Sequence, residues 1–316
     1  MAIAPTQFSA EAEVLAPAVS TFSAPDSLWR RLLRHRLAQI GFAMILVLFL
    51  VAILAPWLSH IDPKQEFPKG LNALGEPHAP DAFFKLGADT QGRDVWTRTL
   101  WGARISLLVG VCAMITAVLI GTLIGLVSGY FGGWIDAVLM RITEVVLSLP
   151  TILLAIALVA VLPDDDITLD NGTVLERRLF NLLLAITLVT WTGIARTVRG
   201  QVMSLKQQEF IESARAIGCS HARILFVHLL PNVLPTIVVL ATLATAHNIL
   251  LEAGLSYLGL GVQPATPSWG AAIADGQPYI LRAPWLVLAP GIAIVLAVAG
   301  FNFVGQALQE TLEPHS

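Results

Sequence analysis

Long uncharged apolar runs constrain this chain more than any other feature of its sequence. Residues 37–57 and 105–130 contain no Asp, Glu, Lys or Arg. Each run is at least as long as the roughly 20 residues that a helix needs to cross about 30 Å of hydrocarbon. Hydrophobic residues make up 55% of the chain and charged residues only 13%, a balance that is typical of a polytopic membrane protein rather than a soluble domain.

Six such segments can be placed along the chain, separated by polar connections. We predict an all-α membrane protein with six transmembrane helices, at residues 37–57, 105–130, 138–162, 179–195, 232–251 and 283–309. In the second segment Gly121, Gly125 and Gly129 recur every four residues. This spacing predicts a smooth groove that another helix can approach closely.

The composition also excludes several classes of protein. The net charge of −3 gives no indication of nucleic acid as a partner. No Gly-Lys pair occurs, so the phosphate-binding loop of ATPases is missing and any ATP must be bound by another chain. Cys112 and Cys219 lie far apart in different contexts and are expected to be structural. We predict no cofactor and no metal in this chain.

Charged residues near the spans predict the orientation and the division of the chain. Residues 1–36 are expected to be a cytoplasmic, largely disordered tail, ending in an arginine cluster that holds the N-terminus in the cytoplasm. Residues 37–103 would form the first span and an extracytoplasmic segment, although six basic residues in 58–104 oppose this orientation. Residues 104–316 would form a five-helix core, with a cytoplasmic loop at 197–231 and a cytoplasmic C-terminus.

That loop contains the main polar island of the core, residues 204–231. Ser204 is predicted to cap a first helix that stops at Gly218, and Ser220 to cap a second helix that Pro231 ends. An apolar stripe on the first helix is expected to be formed by Phe210, Ile211, Ala214 and Ile217. A capped helical hairpin between two spans predicts a docking surface; an ordinary interfacial helix is the alternative.

The same residues resemble the EAA loop of ABC importer permeases. Glu212-Ser213-Ala214, then Gly218, then Leu230-Pro231 follow the spacing of that motif, with Ser213 in place of Ala and His228 in place of Ile. The resemblance implies that the loop seats in a groove of a cytoplasmic ATPase subunit. The candidate contact residues are Glu212, Ser213, Ala214, Arg215, Gly218 and Pro231. In this interpretation Glu212 pairs with a basic residue of the partner, the small Ala214 allows close approach, and Gly218 turns the chain.

Three more segments extend the resemblance to the dipeptide, oligopeptide and nickel branch of these permeases. Residues 86–95 resemble its L-G-T-D-x-x-G-R-D segment, for which a solvated loop with a turn at Gln91-Gly92 is the alternative. Residues 255–270 resemble its L-S-F-L-G-L-G-V-Q-P-P-x-P-S-W-G signature. Residues 141–150 resemble R-x-x-D-x-x-L-x-x-P, with Glu144 in place of Asp and expected to pair with Arg141.

The resemblance implies the type I ABC importer permease fold and a place in the bacterial inner membrane. The chain would form half of a translocation path for di- or oligopeptides, without enzymatic activity of its own. Its implied partners are a homologous second permease, two ATP-binding subunits that hold ATP and Mg²⁺, an extracytoplasmic substrate-binding protein and membrane lipid. Nickel is the alternative cargo, and the sequence does not decide between the two.

A stand-alone secondary transporter or channel is the alternative from another class. It would place paired ionisable groups at mid-membrane. The sequence has instead a lone His247, which we expect to be hydrogen-bonded inside the bundle, and charges near the ends of spans. The acidic loop at 163–176 does not have the spacing of a calcium loop and is expected to be a solvated external loop.

Overall fold

The structure is a computed structural model that describes residues 32–163, 165, 167–168, 174–263 and 265–312. The predicted tail therefore lies, up to residue 31, outside the described residues. The helices are α1 Arg36–Leu58, α2 Val95–Phe131, α3 Gly133–Leu147, α4 Thr151–Val161, α5 Arg177–Leu205, α6 Glu209–Ala216, α7 His221–Tyr257, α8 Trp269–Gly276 and α9 Trp285–Leu312. Two-residue strands β1 (Ile167–Thr168) and β2 (Val174–Leu175) pair antiparallel between α4 and α5.

Five of these helices, α1, α2, α5, α7 and α9, are long and apolar enough to cross a membrane. The predicted third span, 138–162, is instead broken into α3 and α4, which meet at 92°. Pro150 lies at the break with a non-helical backbone (ψ 123°). Its missing N–H and its effect on the preceding residue interrupt the helix there.

The predicted glycine groove is confirmed, and α5 occupies it. Gly121, Gly125 and Gly129 face the backbone oxygens of α5 residues that are also four apart, at positions 191, 195 and 199. A Cβ atom on any of the three glycines would lie only 2.7–2.9 Å from the oxygen that it faces. Because residue numbers rise in the same direction along both helices, α2 and α5 run parallel, with their backbones in close contact.

This parallel packing fixes the number of crossings. Two neighbouring helices can be parallel only if the chain between them returns across the bundle, and α3 with α4 makes that return. The bent pair therefore counts as one span, which gives six crossings as predicted. We call the side where α2 and α5 finish the loop end, and the side with residues 59–94 and α8 the cap end.

Helix α7 holds the centre of the bundle, packed against α2, α5 and α9. The buried Asn248 accepts a hydrogen bond from Thr190 Oγ1 of α5 (2.8 Å) and donates one to the Gly110 oxygen of α2 (3.4 Å). Helix α1 packs on α9 with Gly41 close to the Gly300 oxygen. His35 and Glu310 are 2.9 Å apart, so the two described ends of the chain meet at the loop end.

The glycine groove makes a direct prediction about stability. Gly125→Ala places a methyl group 2.7 Å from the Ala195 oxygen, so α2 and α5 must separate, at a cost of about 1–3 kcal/mol. The measurement is thermal unfolding of the purified chain in detergent.

Gly193→Ala in α5 is the matched control, because no atom lies within 4 Å of the added Cβ. Alanine also favours a helix more than glycine does, so this variant should unfold at the wild-type temperature or slightly above it. Equal losses in the two variants would contradict close contact along the groove.

Candidate functional site

The first helix of the polar island, α6, begins later than predicted. Ser204 does not cap it, because α5 continues to Leu205 and Ser204 lies inside that helix. The packing of α5 on α2 extends this far, with Val202 against Gly129. Lys206 Nζ then donates to the Gly129 oxygen (2.8 Å), and α6 starts at Glu209 after a short turn.

The end of α6 agrees with the prediction for Gly218. This residue has φ +81°, a left-handed conformation in which glycine avoids the strain of a side chain. Its N–H bonds the Arg215 oxygen, and the Cys219 N–H bonds the Ala214 oxygen, both at 3.0 Å. These two bonds form a Schellman motif, so Gly218 turns the chain as expected.

Only half of the predicted apolar stripe of α6 faces the protein. Ile211 is fully buried and Ala214 is 4% exposed, both in a core formed with α2, α5 and α7. Ala214 therefore packs against the bundle of this chain, and its contact with an ATPase groove stays a prediction. Phe210 and Ile217 are exposed, Ile217 by 80%.

The second part of the island is capped as predicted but does not end as predicted. Ser220 Oγ accepts from the Arg223 N–H (3.4 Å) at the start of α7. Pro231 does not terminate this helix, which continues to Tyr257. Residues 224–229 form a wider π-helical turn directly before Pro231, and such a turn relieves the contact between a proline ring and the preceding carbonyl groups.

The loop end thus presents a small surface that contains both polar and apolar exposed side chains. Its α6 part contains the predicted contact residues Glu212, Ser213 and Arg215, all exposed, and the exposed Gly218 follows them. Pro231 is also exposed, one helical segment away. An ion pair, Arg199 to Asp136 at 2.5 and 2.6 Å, holds α5 to α3 beside this surface.

At the cap end, Asp89 and Arg93 of residues 86–95 form a buried ionic cluster with Arg98 of α2, which excludes the alternative of a solvated loop. Asp89 Oδ2 lies 2.7 Å from Arg93 Nε and 3.3 Å from Arg98 Nε. Its Oδ1 accepts the N–H groups of Gln91 and Arg93. The turn at Gln91-Gly92 is present, with Gly92 at φ +75°. Asp89 therefore joins the loop to α2.

Residues 255–270 fix α8 to the same cluster. Trp269 is 1% exposed, and its Nε1 donates to the Thr99 oxygen of α2 (3.0 Å). Ser268 caps α8 by accepting from the Ala271 N–H. Asp275 of α8 lies 3.8 Å from Arg93; burial raises the pKa of this carboxyl, while the neighbouring arginines act in the opposite direction.

Two predictions about charged residues in the spans have different outcomes. Arg141 and Glu144 do pair, at 3.5 Å, on the exposed side of α3. His247 is exposed on α7, so the expected placement inside the bundle of this chain is wrong.

Sequence reasoning missed Glu252, which is 0% exposed and accepts a hydrogen bond from Ser256 Oγ (2.7 Å). The Glu-x-x-x-Ser spacing on one helical face was the available signal.

Possible metal ligands and thiols offer no second site within the described residues. No group of three or more His, Cys, Asp or Glu side chains that could hold a metal ion occurs there. Asp164, Asp166 and Asp170 of the acidic loop lie outside the described residues. Cys112 and Cys219 are both free thiols.

The fold and the two ends described above define a multi-pass helical membrane protein. One end presents the surface around α6, and the other end holds the ionic cluster and α8. Residues 121–316 match the family model of binding-protein-dependent transport system inner membrane components. Residues 26–77 match the N-terminal TM domain of oligopeptide transport permease C. The chain therefore belongs to the family of binding-protein-dependent transport permeases.

Individual relatives support this family over nearly the full chain. The dipeptide transport system permease protein DppC of Alkalihalophilus pseudofirmus is 42% identical over 286 residues, covering 90% of this chain and 88% of the relative. The oligopeptide transport system permease protein OppC of Bacillus subtilis is 38% identical, covering 91% and 90%. The glutathione transport system permease protein GsiD of Escherichia coli is 40% identical, covering 90% and 89%.

The ionic cluster at the cap end predicts a large effect of one substitution. Asp89→Ala leaves the buried Arg93 and Arg98 without their shared carboxylate and should destabilise the chain by about 3–5 kcal/mol. Thermal unfolding of the purified chain measures this loss. Glu76→Gln is the control: it removes an ion pair with the 75% exposed Arg282 at the same end, and exposed pairs contribute little. Unfolding of Asp89→Ala at the wild-type temperature would contradict the assigned role.

Proposed function

We propose that this chain is one permease subunit of an ATP-driven importer and forms half of its translocation path. The observation that carries the proposal is the loop-end surface of α6, which combines the spacing of the coupling motif with exposed apolar and charged side chains. Membership of the family of binding-protein-dependent permeases supports it. The chain performs no covalent chemistry, and partner subunits bind and hydrolyse ATP with Mg²⁺.

The proposed ATPase contact is the exposed surface around α6. Glu212, Ser213, Arg215 and Gly218 provide polar groups and a tight turn. Ile217 provides an apolar side chain that is 80% exposed among the described residues. Exposed apolar surface rimmed by polar residues marks interaction sites, and a few residues carry most of the binding energy of an interface. Two of the candidate residues act less directly: Ala214 lets α6 lie close on its own bundle, and Pro231 starts the regular part of α7.

We assign the loop end to the cytoplasm, together with both termini of the chain. Basic residues close to this end of the spans support the assignment through the positive-inside rule; they are Arg34, Arg36, Arg196, Arg199, Lys206, Arg215 and Arg223. The cap end also contains basic residues, but many lie in the long segment 59–94, and long loops weigh less in this rule. We retain the division into a tail at 1–36, a first span with its outer segment at 37–103, and a core at 104–316.

Transport by such a half-path requires alternating access. ATP binding by two ATPase subunits would move the surface around α6, and the bundle would rotate against that of a second, homologous permease. A substrate-binding protein would dock at the cap end. Docking of that protein and binding of ATP are then linked, because each favours the same state of the complex.

His247 and the α3–α4 bend are our candidates for groups that line the path. An ionisable side chain exposed in a span is costly in lipid. Irregular backbone such as residues 148–150 is stable at membrane depth only against protein or water. The exposed Arg141–Glu144 pair lies on the same bent segment. The second permease and the path between the subunits would cover these groups.

Short peptides are the cargo that we propose, because the relatives above are named for transport of dipeptides, oligopeptides and glutathione. Nickel is the alternative within the same family. A stand-alone channel or secondary transporter remains the alternative from another class, and it would need neither the surface around α6 nor ATP.

The contact with the ATPase leads to a testable prediction at Ile217. Ile217→Ala removes exposed apolar surface that the ATPase would bury, and should weaken binding of the ATPase subunits by about 10-fold. The purified chain should unfold as wild type does, since this side chain is 80% exposed. Affinity is measured by titrating ATPase subunits onto the permease pair in nanodiscs.

Leu281→Ala is the matched control, because Leu281 is 95% exposed but lies at the cap end. It should leave ATPase binding unchanged. Wild-type affinity in the Ile217 variant, or equal losses in both variants, would contradict the proposed contact.

A further inference from the structure

We propose that Tyr130 is a positioning residue that ties the surface around α6 to the transmembrane helix α2. The inference rests on the function proposed above. It identifies a contact through which movement of that surface would reach the transmembrane helices. Tyr130 is the penultimate residue of α2 and is buried. It stands outside the coupling motif, 91 residues before its hydrogen-bond partner in α7.

One side chain bridges three elements at this point. The Tyr130 hydroxyl and His221 Nδ1, at the start of α7, share a hydrogen bond of 2.7 Å. The Arg215 guanidinium of α6 lies 5.5 Å from the centre of the Tyr130 ring, within the range of a cation–π contact. Tyr130 thus contacts both helices of the polar island from a third helix.

The contacts of Tyr130 are directional, and they complement the apolar packing of α6. This helix has only eight residues, and so short a helix is marginal in water without tertiary contacts. Burial of Ile211 and Ala214 fixes how deep α6 lies, but apolar packing is non-directional. The hydrogen bond holds the first residue of α7, and the ring contact holds Arg215 in α6. The two contacts therefore orient the turn at Gly218 that joins these helices.

Tyr130 lies next to the closely packed contact between α2 and α5. Tyr130 follows Gly129, the last glycine of the groove that holds α2 against α5. Helix α2 has 37 residues and therefore extends about 55 Å. At its other end Arg98 and the Thr99 oxygen join the ionic cluster and α8. A displacement of α6 can thus pass to α2 through Tyr130, and not only along the backbones of α5 and α7.

The test removes one oxygen atom. Tyr130→Phe keeps the ring and its contact with Arg215 but loses the hydrogen bond, and Tyr279→Phe at the cap end is the matched control. Hydrogen exchange of the 209–216 amides is measured on the full chain in nanodiscs without partners. We expect about 5-fold faster exchange in Tyr130→Phe, which corresponds to about 1 kcal/mol, and no change in the control.

A second arm separates positioning from a merely structural contact. In the complete transporter, Tyr130→Phe should lower the number of molecules transported per ATP hydrolysed at least 2-fold, while basal hydrolysis stays at the wild-type rate. His221→Phe should have the same effect. The double variant should be no worse than either single variant, because both remove one interaction.

The outcomes that overturn the proposal are distinct. Unchanged exchange in Tyr130→Phe would show that the hydrogen bond does not hold α6. Faster exchange with an unchanged transport ratio would show that it holds α6 without affecting coupling. A wild-type complex whose ATP hydrolysis ignores this chain would overturn the proposed function and the tie together, whereas normal wild-type coupling with an unaffected variant overturns the tie alone.

Discussion

Close contact between the backbones of α2 and α5 determines where the other elements of this bundle lie. Three glycines let the helices approach until an added methyl group would collide with a carbonyl oxygen. Because the two helices are parallel, the segment between them has to return across the bundle, and it does so with a bend at Pro150. The same contact carries α5 as far as Leu205, which delays the start of α6 and places it under the end of α2. The position of the proposed coupling surface therefore follows from packing inside the membrane.

Polar interactions are concentrated at the two ends of this apolar unit. At the cap end Asp89 holds two arginines in a buried cluster, and Trp269 joins α8 to α2. At the loop end Asp136 pairs with Arg199, and Tyr130 meets His221. Between them, Asn248 ties α7 to both parallel helices. An element anchored at both faces and stiff in between is suited to carry a movement from one side of a membrane to the other, which is what the proposed function requires.

Much of this architecture was predictable from the sequence because apolar length and glycine spacing act locally. Residues 37–57 predicted α1 almost to the residue, the glycine series predicted its groove, and Gly218 and Ser220 predicted the turn between the two helices of the polar island. The failures have tertiary causes. Ser204 has the chemistry of a cap, but packing keeps it inside α5. Pro231 has the chemistry of a helix stop, but a π-helical turn accommodates it. The chemistry of residues 86–95 gave no signal that Asp89 would be buried between two arginines, because that depends on contacts with α2 and α8.

Uptake into proteoliposomes tests the central claim, ATP-driven import through this chain, most directly. The vesicles would contain this chain, the neighbouring permease and the ATPase subunits, with the binding protein outside, and would be offered a peptide mixture and Ni²⁺ with or without ATP on the ATPase side. We expect accumulation of short peptides, identified by mass spectrometry, only when ATP and every subunit are present. Accumulation of Ni²⁺ alone would keep the mechanism and replace the cargo. Flux that is independent of ATP and of the partner chains would contradict the account and favour a stand-alone channel or secondary transporter.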